Sequence, residues 1–265
     1  MLYLAVAVRA FRRYSSYTAA TVAGIFTNSV FGVIIAFTYI ALWDQRPHLG
    51  GYDVTDAVTY AWLGQAMIMT VVMWNGGATD ELAERIRSGD VAIDLYRPVS
   101  LLGWYLSADL GRALYHLLTR GLAPTVVGAL LFHIRFPATP GAWLAFALSV
   151  PLAVTVSFAI RMLVSASAFW FLDDTGVRQL AAVFSMFLGG LAVPLVIFPG
   201  WFGTLARALP WAAYIQVPAD LWLGRRTGLD AVAALGFQAG WALVLLAVAG
   251  AVLRLAERRV VVQGG

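Results

Sequence analysis

From Thr18 to Leu42 the sequence carries no charged side chain. Five more apolar runs follow it, at Asp56–Trp74, Ala113–Ile134, Trp143–Val164, Gln179–Phe198 and Leu229–Leu253. About 20 mostly apolar residues in helical form cross a bilayer core, where hydrocarbon offers no partner to an unpaired backbone group. The expected fold is therefore an all-α integral membrane protein with six transmembrane helices, forming one transmembrane domain over residues 1–265. Composition agrees: the chain is 61% hydrophobic and only 12% charged, with a mean hydropathy of +0.78, against roughly a quarter charged in soluble domains. The first run is longer than the apolar stretch of a signal peptide and follows a full amphipathic segment, so it reads as a span and not as a cleaved leader.

The formal net charge of +4 does not point to nucleic acid, because the basic residues sit beside the apolar runs and not on one soluble face. With no cysteine there is no disulfide, thiol nucleophile or thiolate metal site. All 18 basic residues are arginine. A phosphate-binding P-loop needs GxxxxGK[ST], so if a nucleotide drives this protein, another chain binds it.

Arginines beside span ends set orientation. With six crossings and the N-terminus inside, Arg9, Arg12, Arg13, Arg85, Arg87, Arg97, Arg112, Arg120, Arg161, Arg178, Arg254, Arg258 and Arg259 fall inside. Arg46, Arg135, Arg207, Arg225 and Arg226 fall outside. Both termini are expected in the cytoplasm of a multi-pass cell-membrane protein. Residues 1–17 read as an interfacial helix, with Leu2, Ala5, Val6, Val8 and Phe11 toward the apolar phase and Arg9, Arg12 and Arg13 toward headgroups.

The segment "ERIRSGDVAIDLYRPVS", Glu84 to Ser100, is the densest run of charge and falls between the second and third spans. Asp80 to Arg87 can form one or two helical turns, with Glu81–Arg85 spaced i,i+4 and Glu84–Arg87 spaced i,i+3. Gly89 can end that helix, and Arg97-Pro98 imposes an extended step. Two readings stand at this point: a solvated cytoplasmic loop, or a short helix that docks onto a soluble partner.

Ion-coupled carriers need ionisable groups at membrane depth. Only the third run offers a candidate stripe, Asp109, Arg112, His116 and Arg120, which reads as a helix emerging into the interface and packing against polar helix ends. Asp173-Asp174 reads as a solvated pair or a helix cap. His48, His116 and His133 are scattered, and no HExxH or GxSxG pattern occurs. No catalytic or metal-binding residue is expected. Gly24, Asn28, Gly32 and Ala36 recur every four residues, a small-residue stripe for close helix packing. Gly236 and Gly240 form a GxxxG, and Pro124, Pro151 and Pro194 imply local kinks. The stretch from Phe198 to Gly224 is too apolar for an exposed loop and too broken by Pro199, Pro210 and Pro218 to cross. Trp201, Phe202, Trp211, Tyr214 and Trp222 suit one or two short helices in the outer leaflet.

Three motifs together resemble the ABC-2 type permeases of ABC transporters, in particular those of uncharacterised substrate that pair with a separate ATP-binding chain. The first is Glu84-Arg85-Ile86-Arg87-Ser88-Gly89-Asp90-Val91 followed by Leu95-Tyr96-Arg97-Pro98-Val99. The second comprises Gly190, Pro194-Leu195, Phe198-Pro199-Gly200-Trp201, Leu209-Pro210, Pro218 and Leu223-Gly224. The third is the basic tail from Arg258 to Gly265. The resemblance covers nearly the whole chain.

It implies that the segment between spans two and three is a coupling helix seated in the ATP-binding subunit. Glu84, Arg85, Ile86, Arg87, Ser88, Gly89, Asp90, Arg97 and Pro98 would be its docking residues, with Ile86, Val91 and Ile93 as apolar anchors. It further implies a second permease chain, identical or related, and no catalytic activity in this chain, with ATP and magnesium bound by the partner. The expected function is the membrane-spanning permease subunit of an ATP-driven exporter. An apolar or amphipathic cargo is expected from Asn28, Phe31, Phe37, Trp62, Gln65, Met67, Met69 and Met73, of which Asn28, Phe31, Trp62, Gln65, Met69 and Met73 are candidates for a pathway or dimer face. The alternative is a carrier or channel not driven by ATP.

Overall fold

The computed structural model describes residues 1–72, 77–171 and 174–263, with side chains as far as Ala256. Met73, one of the candidate pathway residues, Asp173 and the side chains of the basic tail lie outside the described residues. Every regular element among the described residues is helical, with no strand.

Helix α1 (Leu2–Ser15) leads into α2 (Thr18–Gln45). Helix α3 (Val54–Val71) starts at a capping box: the Asp53 carboxylate accepts the Asp56 amide at 2.7 Å while the Asp56 carboxylate accepts the Asp53 amide. Helices α4 (Ala78–Ser88) and α5 (Val91–Leu95) form the charged segment. Ser100 then caps α6 (Leu101–His116), which runs through a π turn (Leu117–Gly121) into α7 (Leu122–Leu131). The wide turn falls just before Pro124, which has no amide for the carbonyl four residues back and crowds it with its ring. Thr139 caps α8 (Pro140–Ala166), with Pro140 at the first helical position. Helix α9 (Thr175–Leu188) is followed by short α10 (Gly200–Ala208), α11 (Gln216–Trp222) and the long α12 (Gly228–Gln263).

Among the described residues four helices are long and apolar enough to cross a membrane: Thr18–Gln45, Leu101–Leu131, Pro140–Phe169 and Gly228–Ala256. The chain is thus a multi-pass membrane protein; the second and fifth of the six expected spans are not among these four. The second becomes α3, whose side chains are almost all buried by its neighbours. The fifth, Gln179–Phe198, is not one helix. Helix α9 ends at Leu188, about 21 Å long at 1.5 Å per residue. It is stopped by Gly189-Gly190, where Gly190 takes φ +86° and a Cβ would strike the Tyr60 hydroxyl. The third helix begins at Leu101 and not at Ala113, so Asp109 and Arg112 lie inside it.

The small-residue stripe packs inward. Gly24, Asn28, Gly32 and Ala36 are the buried side of α2, and the Trp62 ring sits where a Cβ on Gly32 or on Gly128 would fall. By contrast, a Cβ on Gly236 or Gly240 would meet nothing within 4 Å among the described residues. The segment after α9 also differs from an interfacial layer. Trp201 and Phe202 are exposed, whereas Tyr214, Trp222 and the whole of α11 are buried, with α11 packed on α8.

Polar side chains lock the loops at the end away from α1. Asp56 is shared by Arg135 and Arg225, the latter at 2.6 Å, and Arg135 also holds Asp53 at 3.0 Å. Tyr52 donates to Asp220 at 2.9 Å, and Gln216 donates to the same carboxylate at 2.8 Å.

Candidate docking segment and its buried charge anchor

Helix α4 carries acids in its first turn (Asp80, Glu81) and arginines in its last (Arg85, Arg87), the order that complements the helix dipole. Gly89 ends it at φ 82°, a left-handed conformation that glycine adopts without strain. Thr79, Leu82 and Ala83 face inward. Leu82 and Val91 join Tyr105 of α6 and Phe158 and Met162 of α8 in one apolar cluster, with Ile86 packed against it. The segment is therefore a helical hairpin fastened to the bundle, not a free loop.

Its charges fasten it further. Arg85 pairs with Asp94 and donates to the Asp90 carbonyl at 3.1 Å; Arg97 reaches the other oxygen of Asp94 at 3.3 Å. Arg87 pairs with Glu84 at 3.2 Å, as the i,i+3 spacing predicts, and with Asp174 at 3.1 Å. Glu81 turns to Arg13 of α1 at 3.1 Å, and not to Arg85. Asp174 stands at the N-cap of α9, the cap position the sequence allowed, but it is fully buried and spends its carboxylate on Arg87 and Arg178, with no side-chain bond to the helix amides.

These pairs sort the expected docking residues. Arg85 and Ile86 turn toward the hairpin's own body, and Val91 is 2% exposed. Glu84, Arg87, Ser88, Gly89, Asp90, Arg97 and Pro98 lie on the outer surface. Ile93 and Tyr96 join them there, at 58% and 90% exposure. Tyr96 stands in the first motif beside Arg97-Pro98 but is not among the docking residues expected from the sequence.

Behind the hairpin lies a charge cluster that the sequence reading placed in the interface. Asp109 and Arg112 of α6 are 0% and 2% exposed. Asp109 accepts from Arg112 Nε at 2.8 Å and from Arg161 of α8 at 2.6 Å. Arg112 also donates to the carbonyls of Met69 and Thr70 at 2.6 and 2.9 Å, and Ser157 donates to that of Val71. These are the last carbonyls of α3, which have no partner within their own helix. Arg161 reaches Thr79 in the first turn of α4 at 3.3 Å. One carboxylate and two guanidiniums thus tie the end of α3 and the start of α4 to α6 and α8. Arg120, further along the stripe, donates to the Ala20 carbonyl at 2.8 Å, and the His116 ring meets Tyr14 edge-on at 5.2 Å.

The candidate pathway residues do not converge. Asn28, Trp62 and Gln65 are buried between α2 and α3, where Asn28 donates to the Gln65 carbonyl at 3.2 Å. Met67 is 1% exposed and Met69 is half-buried, whereas Phe31 and Phe37 face outward. Among the described residues no three histidine, cysteine, aspartate or glutamate side chains are placed to hold a metal ion.

The sequence pattern of the family described as "ABC-2 family transporter protein" matches residues 10–264. The chain belongs to this family. No curated protein matches it. The ABC-2 match takes in α2 through α12 and the last part of α1, so the hairpin and its charge anchor lie within the family region.

Proposed function

We propose that this ABC-2 protein is the membrane-spanning permease subunit of an ATP-driven transporter, with ATP and magnesium bound and hydrolysed by a separate subunit. One observation carries the reading: a two-helix hairpin, Ala78–Leu95, projects an apolar and charged surface yet is fixed to the bundle by the Arg87–Asp174 pair, by the Arg161 hydrogen bond to Thr79 and by its apolar cluster with α6 and α8. Such a lever can receive a push at Ile93, Tyr96, Asp90 and Arg87 and pass it to α3, α6 and α8 without bending. Complementary charge sets docking register, and aromatic side chains in an interface carry much of its energy. The hairpin side, and with it both termini, is assigned to the cytoplasm on the arginine distribution.

A second permease chain, identical or related, would complete the pathway. Outward-facing Phe31 and Phe37 and the unpartnered Gly236 and Gly240 supply apolar surface for it. An apolar or amphipathic cargo, moved outward, fits a chain whose buried charges are already spent on one another. The test is gentle purification from native membranes followed by mass spectrometry. A stoichiometric P-loop ATPase is expected, and it should be lost when Ile93→Asp and Tyr96→Ala are combined. A chain that comes out alone and still moves solute without ATP would make it a carrier or channel.

A further inference from the structure

A cleft of about 730 Å³ opens between α1, the α4–α5 hairpin and α6. Its walls hold Arg9 and Arg13 of α1, Arg85 and Arg97 of the hairpin segment, and Arg112 of α6, against Glu81 and Asp94. The ion pairs do not neutralise it. Asp94 is shared by Arg85 and Arg97, and Asp109, behind the wall, is shared by Arg112 and Arg161. Only Glu81 has a single guanidinium, that of Arg13. Among the described residues Arg9 forms no ion pair. Six guanidiniums thus surround three carboxylates, and the excess is arranged around one space.

We infer that this cleft is a binding site for a phosphate-bearing anion, contacted by Arg9 and Arg97. Guanidinium forks match phosphate oxygens in geometry and shed their own hydration readily. Arg97 keeps half of its side chain exposed while holding Asp94, so it has donors to spare. Trp104, beneath Arg97 at 6.0 Å from the ring centre, supplies an apolar wall. The source nearest to hand is a phospholipid headgroup, because α1 exposes Leu2, Leu4 and Val8 as an apolar face of the kind that lies in a membrane surface. A soluble phosphate ester offers the same chemistry. Either occupant would bridge α1 to the hairpin at the point where Arg13 already meets Glu81, so the site goes beyond the proposed transport role and does not depend on an ATP-binding partner.

The full chain, reconstituted in nanodiscs of equal parts phosphatidylcholine and phosphatidylglycerol, is released into detergent and its bound lipid counted by native mass spectrometry. Wild type is expected to retain phosphatidylglycerol several-fold over phosphatidylcholine. Arg9→Gln breaks no ion pair or side-chain hydrogen bond within the described chain; alone, and combined with Arg97→Gln, it should remove that preference. Arg12→Gln with Arg46→Gln takes away the same charge outside the cleft and should not. If no lipid preference appears but millimolar pyrophosphate raises the melting temperature of wild type and not of Arg9→Gln, the occupant is a soluble phosphate compound. The inference is overturned if both double variants lose phosphatidylglycerol equally, which is diffuse surface attraction. It is also overturned if neither lipid nor pyrophosphate distinguishes Arg9→Gln from wild type.

Discussion

Asp109 of α6 and Arg161 of α8 meet at 2.6 Å inside the bundle, and the same carboxylate holds Arg112 at 2.8 Å. Removing one member of a buried set strands the rest without water, which costs about 3–5 kcal/mol. Asp109→Asn is expected to lower stability by that amount in a denaturant or thermal unfolding series. Arg161→Met added to it should recover part of the loss, since one of the two stranded charges is then gone. Independent, additive losses would show that the two side chains do not act on each other.

Gly111 brings α1 against α6 so closely that a Cβ would fall 2.0 Å from the Ala7 carbonyl oxygen. That atom is backbone and cannot swing aside. Gly111→Ala should therefore push α1 off α6 or cost about 1–3 kcal/mol as overpacking does. A spin-label distance between Ala10 and Ala108 sites is expected to lengthen. The edge-on contact of Phe11 with Tyr115, at 5.5 Å, would be lost with it, whereas an unchanged distance and stability would mean the helices can slide to make room.

Some features are set locally and others by what the chain encounters when folded. The end of α4 at Gly89 and the Glu84–Arg87 pair follow from spacing within one helix, so they were legible. The inward face of α2 was legible too, because small residues every four positions leave only one side for close packing. The anchor at Asp109 was not, since nothing in the sequence near α6 says that Arg161 lies at the same depth. The same holds for Glu81, whose partner Arg13 is distant in sequence. Apolar content also misled at α9: hydropathy reports burial but does not report where a helix breaks. Glycine pairs such as Gly189-Gly190 then decide whether an apolar run stays helical.

At the opposite end, burial alone would raise the pKa of Asp53, but the Asp56 amide and Arg135 outweigh it and hold the carboxyl below its ordinary value. The charged form is thus favoured in the folded state. Its contribution is fully present above the unfolded pKa of about 4 and is lost as pH falls through the lower folded value. The melting temperature of wild type should fall more steeply between about pH 5 and pH 3 than that of Asp53→Asn. Equal slopes would mean that the Arg135 contact does not persist in solution.

Docking and folding roles within the hairpin separate at Tyr96 and Arg85. Tyr96 is 90% exposed and joins none of the hairpin's ion pairs, so Tyr96→Ala should change stability by no more than about 0.5 kcal/mol, as surface substitutions do. Arg85→Ala leaves Asp94, 8% exposed, with only the more exposed Arg97, and a half-satisfied buried carboxylate costs about 1–3 kcal/mol. If the hairpin receives an ATP-binding partner, Tyr96→Ala should weaken that association while the chain stays stable, and Arg85→Ala should lower both together. Measuring melting temperature and partner stoichiometry on the same preparations distinguishes the two. A Tyr96→Ala chain that keeps its full complement of partner would move the contact away from this face of the hairpin, to the turn formed by Arg87, Ser88, Gly89 and Asp90.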